Sequence, residues 1–203
     1  MAIVGAVLCG GASRRMGRDK ALVEVDGVAL ARRVGDALTA GGCARVVAVG
    51  GDADALGRLG LVTVADRWPG EGPLGGLVTA LDALDGGDVL VVAPCDWVHP
   101  SGPVVARLVA TLDAAPSDVG AVHGRTPARD HWLPSAWRAG PGPSSAVGAA
   151  FAAGERRVRA ALALVGAGVV EATEREVADA DTPGDLPPGT PGPADDQEVP
   201  GTK

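Results

Sequence analysis

The sequence predicts an α/β domain with a mainly parallel sheet and helices on both faces. Short, continuous apolar runs, typical of strands buried on both faces, alternate with segments whose apolar residues recur at helical spacing. The predicted strands are 2–8, 46–49, 61–65, 89–93 and 119–122. The predicted helices are 29–40, 53–59, 77–84 and 104–114. Such alternation predicts a wound sheet that binds ligands at the carboxyl ends of its strands.

The pattern becomes irregular after residue 123. Residues 123–142 are rich in Arg, Pro and Trp, and we expect a substrate-binding excursion with extended pieces there. Two helices, 144–153 and 155–165, are predicted to follow, with Gly154 as the break between them. Residues 169–171 are a candidate last strand.

Length and composition indicate one domain, 1–186, followed by a tail. Residues 187–203 are rich in Pro, Gly and Asp and have no periodicity, so we expect them to be disordered. The net charge of −7 argues against non-specific binding to nucleic acid. The aromatic residues are four Trp and one Phe, which argues against a base-stacking surface.

The cysteines and the apolar runs indicate a cytoplasmic protein. The three cysteines are odd in number and have no zinc-site spacing, which fits a reducing compartment. The first apolar run is short and has no cationic segment before it, so we expect a core strand and no signal peptide. No apolar stretch approaches the length that spans a bilayer, so no membrane partner is expected.

The loop that follows the first predicted strand is the most informative segment. Residues 9–20 contain three glycines, three arginines and Lys20. Glycine lets backbone N–H groups approach phosphate oxygens, and the cations neutralise phosphate charge, so the loop predicts a polyphosphate site. Its spacing matches neither the Walker pattern nor the dinucleotide fingerprint. A solvated Gly/Arg loop is the alternative interpretation.

Two further loops carry candidate residues after predicted strands. Asp66 begins the second loop, whose glycines, Gly75 among them, leave N–H groups for a base edge or a phosphate if the loop is more than a plain turn. Asp96, in the third loop, is placed to hold Mg²⁺ or to cap the next helix. Asp181 is a second candidate metal ligand, or a cap ahead of Pro183.

Taken together, these motifs resemble the molybdenum cofactor guanylyltransferase family. In order, they are L-x-G-G-x-S-x-R-M-G-x-D-K, G-P-L-G-G-L, P-C-D and D-T-P-x-D-L, and the resemblance spans residues 3–186. It implies a Rossmann-like, three-layer α/β/α nucleotidyltransferase fold. It also implies that GMP passes from Mg·GTP to the terminal phosphate of molybdopterin, with pyrophosphate released. Other cofactor-assembly proteins are further candidate partners.

The resemblance assigns roles to individual residues. Leu8, Cys9 and Gly10 match the nucleotide-binding backbone. Lys20 matches the phosphate-binding lysine, Asp66 a guanosine-contacting aspartate and Asp96 the magnesium ligand. The stretches 129–131 and 154–157 look like family segments on the pterin side.

Three positions depart from the family pattern. Cys9 replaces the usual alanine, Val49 an asparagine, and Val98 a proline. These departures bear on fine nucleotide specificity more than on the class of reaction.

The implied reaction is an in-line attack on the α-phosphorus of GTP. Arg15 and Lys20 are expected to neutralise the β- and γ-phosphates, and the amides of 9–13, including Gly11 and Ser13, to cradle them. No general base is required, because the attacking phosphate is already ionised, so His131 is expected to bind rather than catalyse.

Other functions remain open at this point. The chain could be a pterin cytidylyltransferase or a guanylyltransferase for a phospho-acid, although Gly10 in L-x-G-G favours guanine. A non-catalytic GTP-binding module is a third hypothesis, against which the presence of both Lys20 and Asp96 argues.

Overall fold

A computed structural model describes residues 2–10, 19–84, 88–180, 182–187 and 190. The strands are β1 (Ile3–Leu8), β2 (Glu24–Val25), β3 (Val28–Ala29), β4 (Arg45–Val49), β5 (Val62–Val64), β6 (Val89–Pro94), β7 (Ala121–Arg125), β8 (Asp130–Arg138) and β9 (Ala167–Glu171). The α-helices are α1 (Leu30–Ala40), α2 (Ala53–Arg58), α3 (Pro73–Asp82), α4 (Gly102–Ala114), α5 (Pro141–Ala152) and α6 (Val158–Val165). None of the helices described is long and apolar enough to cross a membrane.

The main sheet has seven strands in the order β5-β4-β1-β6-β8-β7-β9. Neighbouring strands are parallel except where β8 pairs with β6 and with β7. From β1 the chain builds β4 and β5 on one side and then returns to place β6 on the other. The topological switch point therefore lies between β1 and β6, where ligands of open α/β sheets bind.

Helices cover both faces of this sheet. Val7 of β1 and Val91 of β6 pack in one core with α1, α2 and α4. Ala6 and Leu8 face the other side and pack in a second core with α3, α5 and α6. The predicted three-layer α/β/α architecture is confirmed, and the alternation along β1 explains why its apolar run is continuous.

The extended pieces expected within 123–142 form one central antiparallel strand, β8. The pairing with β7 jumps from His123↔Ser135 to Gly124↔His131, so residues 132–134 bulge out of the ladder. Pro134 lies in this bulge, where the hydrogen bonds are interrupted and its missing N–H costs nothing. That proline is the reason the sequence pattern looks irregular there.

Several helix boundaries differ from the predicted ones. Helix α3 begins at Pro73 rather than at residue 77, because Gly72 ends the preceding loop with a φ of +80° and Pro73 starts the helix with its φ already fixed. Helix α5 likewise begins at Pro141 rather than at 144. The predicted break at Gly154 is confirmed, with a φ of +100°.

A first prediction concerns the contact between α1 and α4. A Cβ at Gly41 would lie 2.9 Å from the carbonyl oxygen of Gly102 and would overlap the Val105 side chain. We expect Gly41→Ala to lower stability by about 2 kcal/mol, because a backbone must move to admit it. In a chain of this size that loss lowers Tm by about 4–8 °C.

Gly148→Ala is the matched control, because a Cβ at that helical glycine meets no atom within 4 Å. It is expected to raise the stability by roughly 0.5–1 kcal/mol through helix propensity. Equal Tm values for the two variants in thermal denaturation would contradict the close helix contact.

Candidate active site

A cleft of about 700 Å³ opens at the carboxyl ends of β1 and β6. One wall comes from the loops that follow these strands, and the opposite wall from β8 and the segment before α6. The described residues that line it are Leu8, Cys9, Gly10, Asp19, Lys20, Gly72, Pro73, Pro94, Cys95, Asp96, Arg129, Asp130, His131, Trp132, Leu133, Arg156, Arg157, Val158, Arg159, Val177 and Asp179.

Lys20 and Asp96 meet across the switch point. The Lys20 Nζ donates to Asp96 Oδ2 at 2.8 Å, and each side chain is 18% exposed. Lys20 is held at the start of a short 3-10 turn, which Asp19 caps by accepting a hydrogen bond from the Ala21 N–H. Asp96 does not cap α4, because the residue that precedes that helix is Ser101. A helix-capping role for Asp96 is therefore excluded, and its carboxylate lies on the cleft wall.

The C-terminal segment braces the loop that carries Asp96. The Ala180 N–H donates to the Asp96 carbonyl at 3.0 Å, and the Val98 N–H donates to the Ala178 carbonyl at 2.9 Å. Asp179 pairs with Trp97 as an isolated antiparallel bridge and lines the cleft. Asp179 therefore brings a second carboxylate to this region from the segment that also contains the predicted ligand Asp181, which lies outside the described residues.

Val98 shows why the departure from the family proline is tolerated. Its side chain is buried in a small core with Val23, Val25, Leu30, Ala180 and Leu186. This core packs the β2–β3 hairpin and the C-terminal segment together beneath the cleft loops.

Asp66 is held beside the end of β1. Its Oδ1 accepts hydrogen bonds from the Thr79 hydroxyl and from the Trp68 N–H, each at 3.0 Å. Its Oδ2 is 3.4 Å from the position that a Cβ on Gly10 would take. One carboxylate oxygen is thus engaged by the protein, and the other faces Gly10 at the edge of the cleft.

Gly50 makes room between Gly10 and Asp66. It has a φ of +73°, and a Cβ on it would lie 3.2 Å from the Gly10 Cα and 3.4 Å from the Asp66 Cβ. A side chain at position 50 would fill the space between Gly10 and Asp66. Gly50, which was not among the predicted site residues, directly follows Val49, the position where the family pattern has asparagine.

The opposite wall is basic. Burial, followed by the charge of Arg129, lowers the pKa of His131, so this imidazole is neutral at pH 7. Hydrogen bonds from Arg157 and from the backbone lower the pKa of Glu155 to about 2, which fixes it as an anion beside that guanidinium. Arg129, Arg156 and Arg159 also line this wall, which suits it to an anionic ligand.

Two buried cysteines line the cleft, and the pKa of one of them, Cys95, is strongly raised. Cys9 and Cys95 follow the paired ends of β1 and β6 and are both buried. A hydrogen bond with Cys9, followed by burial, raises the pKa of the Cys95 thiol well above its usual value. Since the thiolate is the reactive form, a thiol of this kind is inert at neutral pH.

The predicted site residues fall into four groups, the last of which is Gly75 alone. Leu8, Cys9, Gly10, Lys20 and Asp96 line the cleft together, and Asp66 adjoins it. The Cys9 N–H already donates to the Val49 carbonyl at 2.9 Å, so the backbone available to a ligand begins after it. The third group lies outside the described residues and consists of Gly11, Ser13, Arg15 and Asp181.

Gly75 has a different role from the one expected. Its N–H donates to the Gly72 carbonyl at 3.1 Å, so the amide expected to be free is occupied. A Cβ on it would lie 3.1 Å from the Trp68 Cβ, so this glycine lets α3 pack against the 66–72 loop. In its place, Gly72 and Pro73 at the helix start line the cleft.

Thr79 is a site-supporting residue that the sequence analysis missed, and it generates a second prediction. It is 2% exposed, and its hydroxyl donates to Asp66 while accepting from the Arg67 N–H at 3.2 Å. Thr79→Val leaves the Arg67 N–H without this partner and removes one of the two hydrogen bonds to Asp66 Oδ1, so we expect a loss of roughly 1–3 kcal/mol in stability and weaker nucleotide binding.

Thr79→Ser, which keeps the hydroxyl, is the control and should retain nucleotide affinity within about twofold. Calorimetric titration with Mg·GTP checks both variants. Wild-type affinity in Thr79→Val would show that the orientation of Asp66 does not matter for binding.

Comparison with known proteins agrees with this geometry. The chain is 38% identical over 191 residues to the molybdenum cofactor guanylyltransferase of Rhodobacter capsulatus, covering 92% of this chain and 94% of that protein. It is 35% identical over 170 residues to the protein of the same name from Burkholderia ambifaria, covering 78% and 80%.

A solved structure shares the fold. The molybdopterin-guanine dinucleotide biosynthesis protein A of Archaeoglobus fulgidus superposes with a TM-score of 0.72 at 21% identity, covering 90% of this chain and 94% of that one. The profile of the MobA-like NTP transferase domain matches residues 5–168, which extend from within β1 to the start of β9. The chain belongs to the MobA-like NTP transferase family.

Proposed function

We propose that this protein is a molybdenum cofactor guanylyltransferase, which transfers GMP from Mg·GTP to the terminal phosphate of molybdopterin and releases pyrophosphate. The observation that carries the proposal is the Lys20–Asp96 pair at the switch point, 2.8 Å apart on a cleft with a basic opposite wall. Relatives that bear this name match most of the chain. The three free cysteines suit a reducing cytoplasm, where we expect the reaction to take place.

The donor set fits a magnesium ion that arrives with its nucleotide. The described residues contain no cluster of three or more metal-ligating side chains, so they form no all-protein cage. Mg²⁺ is usually held by one or two carboxylates together with substrate phosphates, and Asp96 and Asp179 supply carboxylates on the cleft. When bound, Mg²⁺ would neutralise charge on the triphosphate and on the leaving pyrophosphate.

Lys20 has one role before the nucleotide binds and another after it has bound. Without a nucleotide, its ammonium balances the Asp96 carboxylate, which would otherwise be a mostly buried anion. With a nucleotide, the same ammonium can donate to phosphate oxygens, while Asp96 faces the metal. Arg15, from the glycine-rich loop, is proposed to add a second positive charge on the phosphates.

Asp66 and Gly10 are proposed to recognise guanosine. A carboxylate only accepts hydrogen bonds, and the N1–H and N2 amino groups of guanine are donors. Asp66 Oδ2 faces Gly10, and a gap is kept open beside both by Gly50. These positions favour GTP over CTP, although a cytidylyltransferase keeps the same reaction steps.

The acceptor phosphate is proposed to bind the basic wall. Arg129 and Arg159 line it and can orient an anionic acceptor for in-line attack on the α-phosphorus. The attacking phosphate is ionised at neutral pH, so it needs no general base, and His131 is assigned to binding. Catalysis then consists of positioning and charge neutralisation.

A third prediction tests this assignment by removing one charge. Asp96→Asn should leave the fold intact and lower kcat at least about a hundredfold, which is the scale of one lost electrostatic element. The measurement is pyrophosphate release from GTP with Mg²⁺ and molybdopterin, with CTP and ATP as competing nucleotides.

Asp36→Asn is the control, because that carboxylate pairs with Arg32 at 2.8 Å on α1, away from the cleft. It should turn over at the wild-type rate. Turnover of Asp96→Asn within threefold of wild type would overturn the assigned role of Asp96, and absence of pyrophosphate release by the wild-type protein would favour the non-catalytic module.

A further inference from the structure

An ion pair and two aromatic rings connect the 66–72 loop with α5 and with the segment before α6. Arg156 Nε donates to Glu71 Oε2 at 2.6 Å, and the Arg156 Cζ lies 4.2 Å from the centroid of the Phe151 ring. The Phe151 ring in turn lies 5.4 Å, centroid to centroid, from the ring of Trp68. We call these four residues, Trp68, Glu71, Phe151 and Arg156, the clasp.

The clasp holds the loop that contains Asp66. Trp68 and Glu71 belong to the 66–72 loop, and the Trp68 N–H donates to Asp66 Oδ1 at 3.0 Å. Phe151 and Arg156 belong to α5 and to the segment before α6, on the opposite wall. Arg156 is therefore in contact, through Glu71, with the loop that orients Asp66.

The Arg156 guanidinium has a defined orientation. Its Nη1 donates to the carbonyls of Phe151 at 2.9 Å and of Glu155 at 2.8 Å. An exposed ion pair alone contributes little, and both charged partners here are partly exposed. The backbone bonds and the cation–π contact fix the same planar group, so the orientation does not depend on the ion pair alone.

The same guanidinium faces the cleft. Arg156 is part of the cleft lining, and within the described ranges its Nη2 makes no hydrogen bond to the protein. An anion at the basic wall, where the acceptor is proposed to bind, can therefore accept a hydrogen bond from Arg156 Nη2, which the clasp does not use. The Arg156 side chain would then contact the acceptor while it holds the 66–72 loop, which we call the nucleoside loop.

We infer that Glu71 and Arg156 are positioning residues that couple nucleoside recognition to the acceptor wall. The inference rests on the proposed function, because it takes Asp66 as the guanosine contact. Glu71 is not among the described residues that line the cleft, yet its removal should affect both substrates. The nucleoside loop loses its anchor, and Arg156 loses the partner that orients it. Coupling of this kind is reciprocal.

The fourth prediction is made for Glu71→Gln and Arg156→Lys in the full chain. Each should raise the Kd for Mg·GTP about fivefold, the low end of measured coupling between sites, and lower the preference for GTP over CTP. Glu71→Gln should also raise the KM for molybdopterin about fivefold, with kcat within twofold of wild type. The double variant should bind GTP no more weakly than either single variant, because both break one contact.

Asp36→Asn is the matched control, since it also removes an exposed carboxylate from an arginine pair. Calorimetry, steady-state kinetics and Tm are measured for all variants. Wild-type GTP affinity in Glu71→Gln overturns the clasp alone and leaves the proposed function standing. A loss of several degrees in Tm together with a fall in kcat overturns the positioning role in favour of general loosening. Failure of the wild-type protein to bind any nucleoside triphosphate overturns both proposals.

Discussion

The position of β6 beside β1 is the constraint on which the site depends. These two strands are parallel neighbours, so their carboxyl ends open at the same edge of the sheet. The chain reaches β6 only after building β4 and β5 on the far side of β1, which leaves a crevice between the loops that follow β1 and β6. Lys20 and Asp96, 76 residues apart, meet in that crevice, where the Lys20 Nζ donates to Asp96 Oδ2.

The remaining structure holds this crevice in shape. On one side, Ala180 and Ala178 bond to the backbone around Asp96, so the C-terminal segment is a brace for the candidate metal loop. On the other side, the nucleoside loop is fixed by the Thr79 hydroxyl from α3 and by Arg156 from the opposite wall. The loops that carry Asp96 and Asp66 are thus each held by contacts with other parts of the fold.

Those features that depend on local sequence could be predicted. Continuous apolar runs, broken by segments of helical period, predicted the parallel sheet and both helix layers. Leu8, Gly10 and Asp96 could be predicted because they lie at or just after the ends of predicted strands, and all three line the cleft. Lys20 was identified by its place in the glycine-rich motif.

The features that depend on tertiary pairing could not be predicted. Strand β8 was obscured by Pro134, whose bulge is visible only once β7 lies beside it. Thr79 lies on a buried helix face, and no sequence pattern distinguishes its hydroxyl from the apolar side chains around it. Glu71 and Arg156 are 85 residues apart, so no local pattern predicts that they pair. The pairing of Trp97 with Asp179, which brings Asp179 to the cleft, is a register that sequence spacing alone does not predict.

The most direct test of the account is a calorimetric titration of Mg·GTP into the wild-type protein and into Lys20→Met. The account predicts one GTP per chain, with CTP and ATP bound more weakly. Affinity for GTP should fall at least about tenfold in Lys20→Met, because a charged hydrogen bond to phosphate is worth roughly 1.5–3 kcal/mol. Equal affinity of the two proteins for GTP would contradict the claim that the Lys20–Asp96 crevice is the nucleotide site.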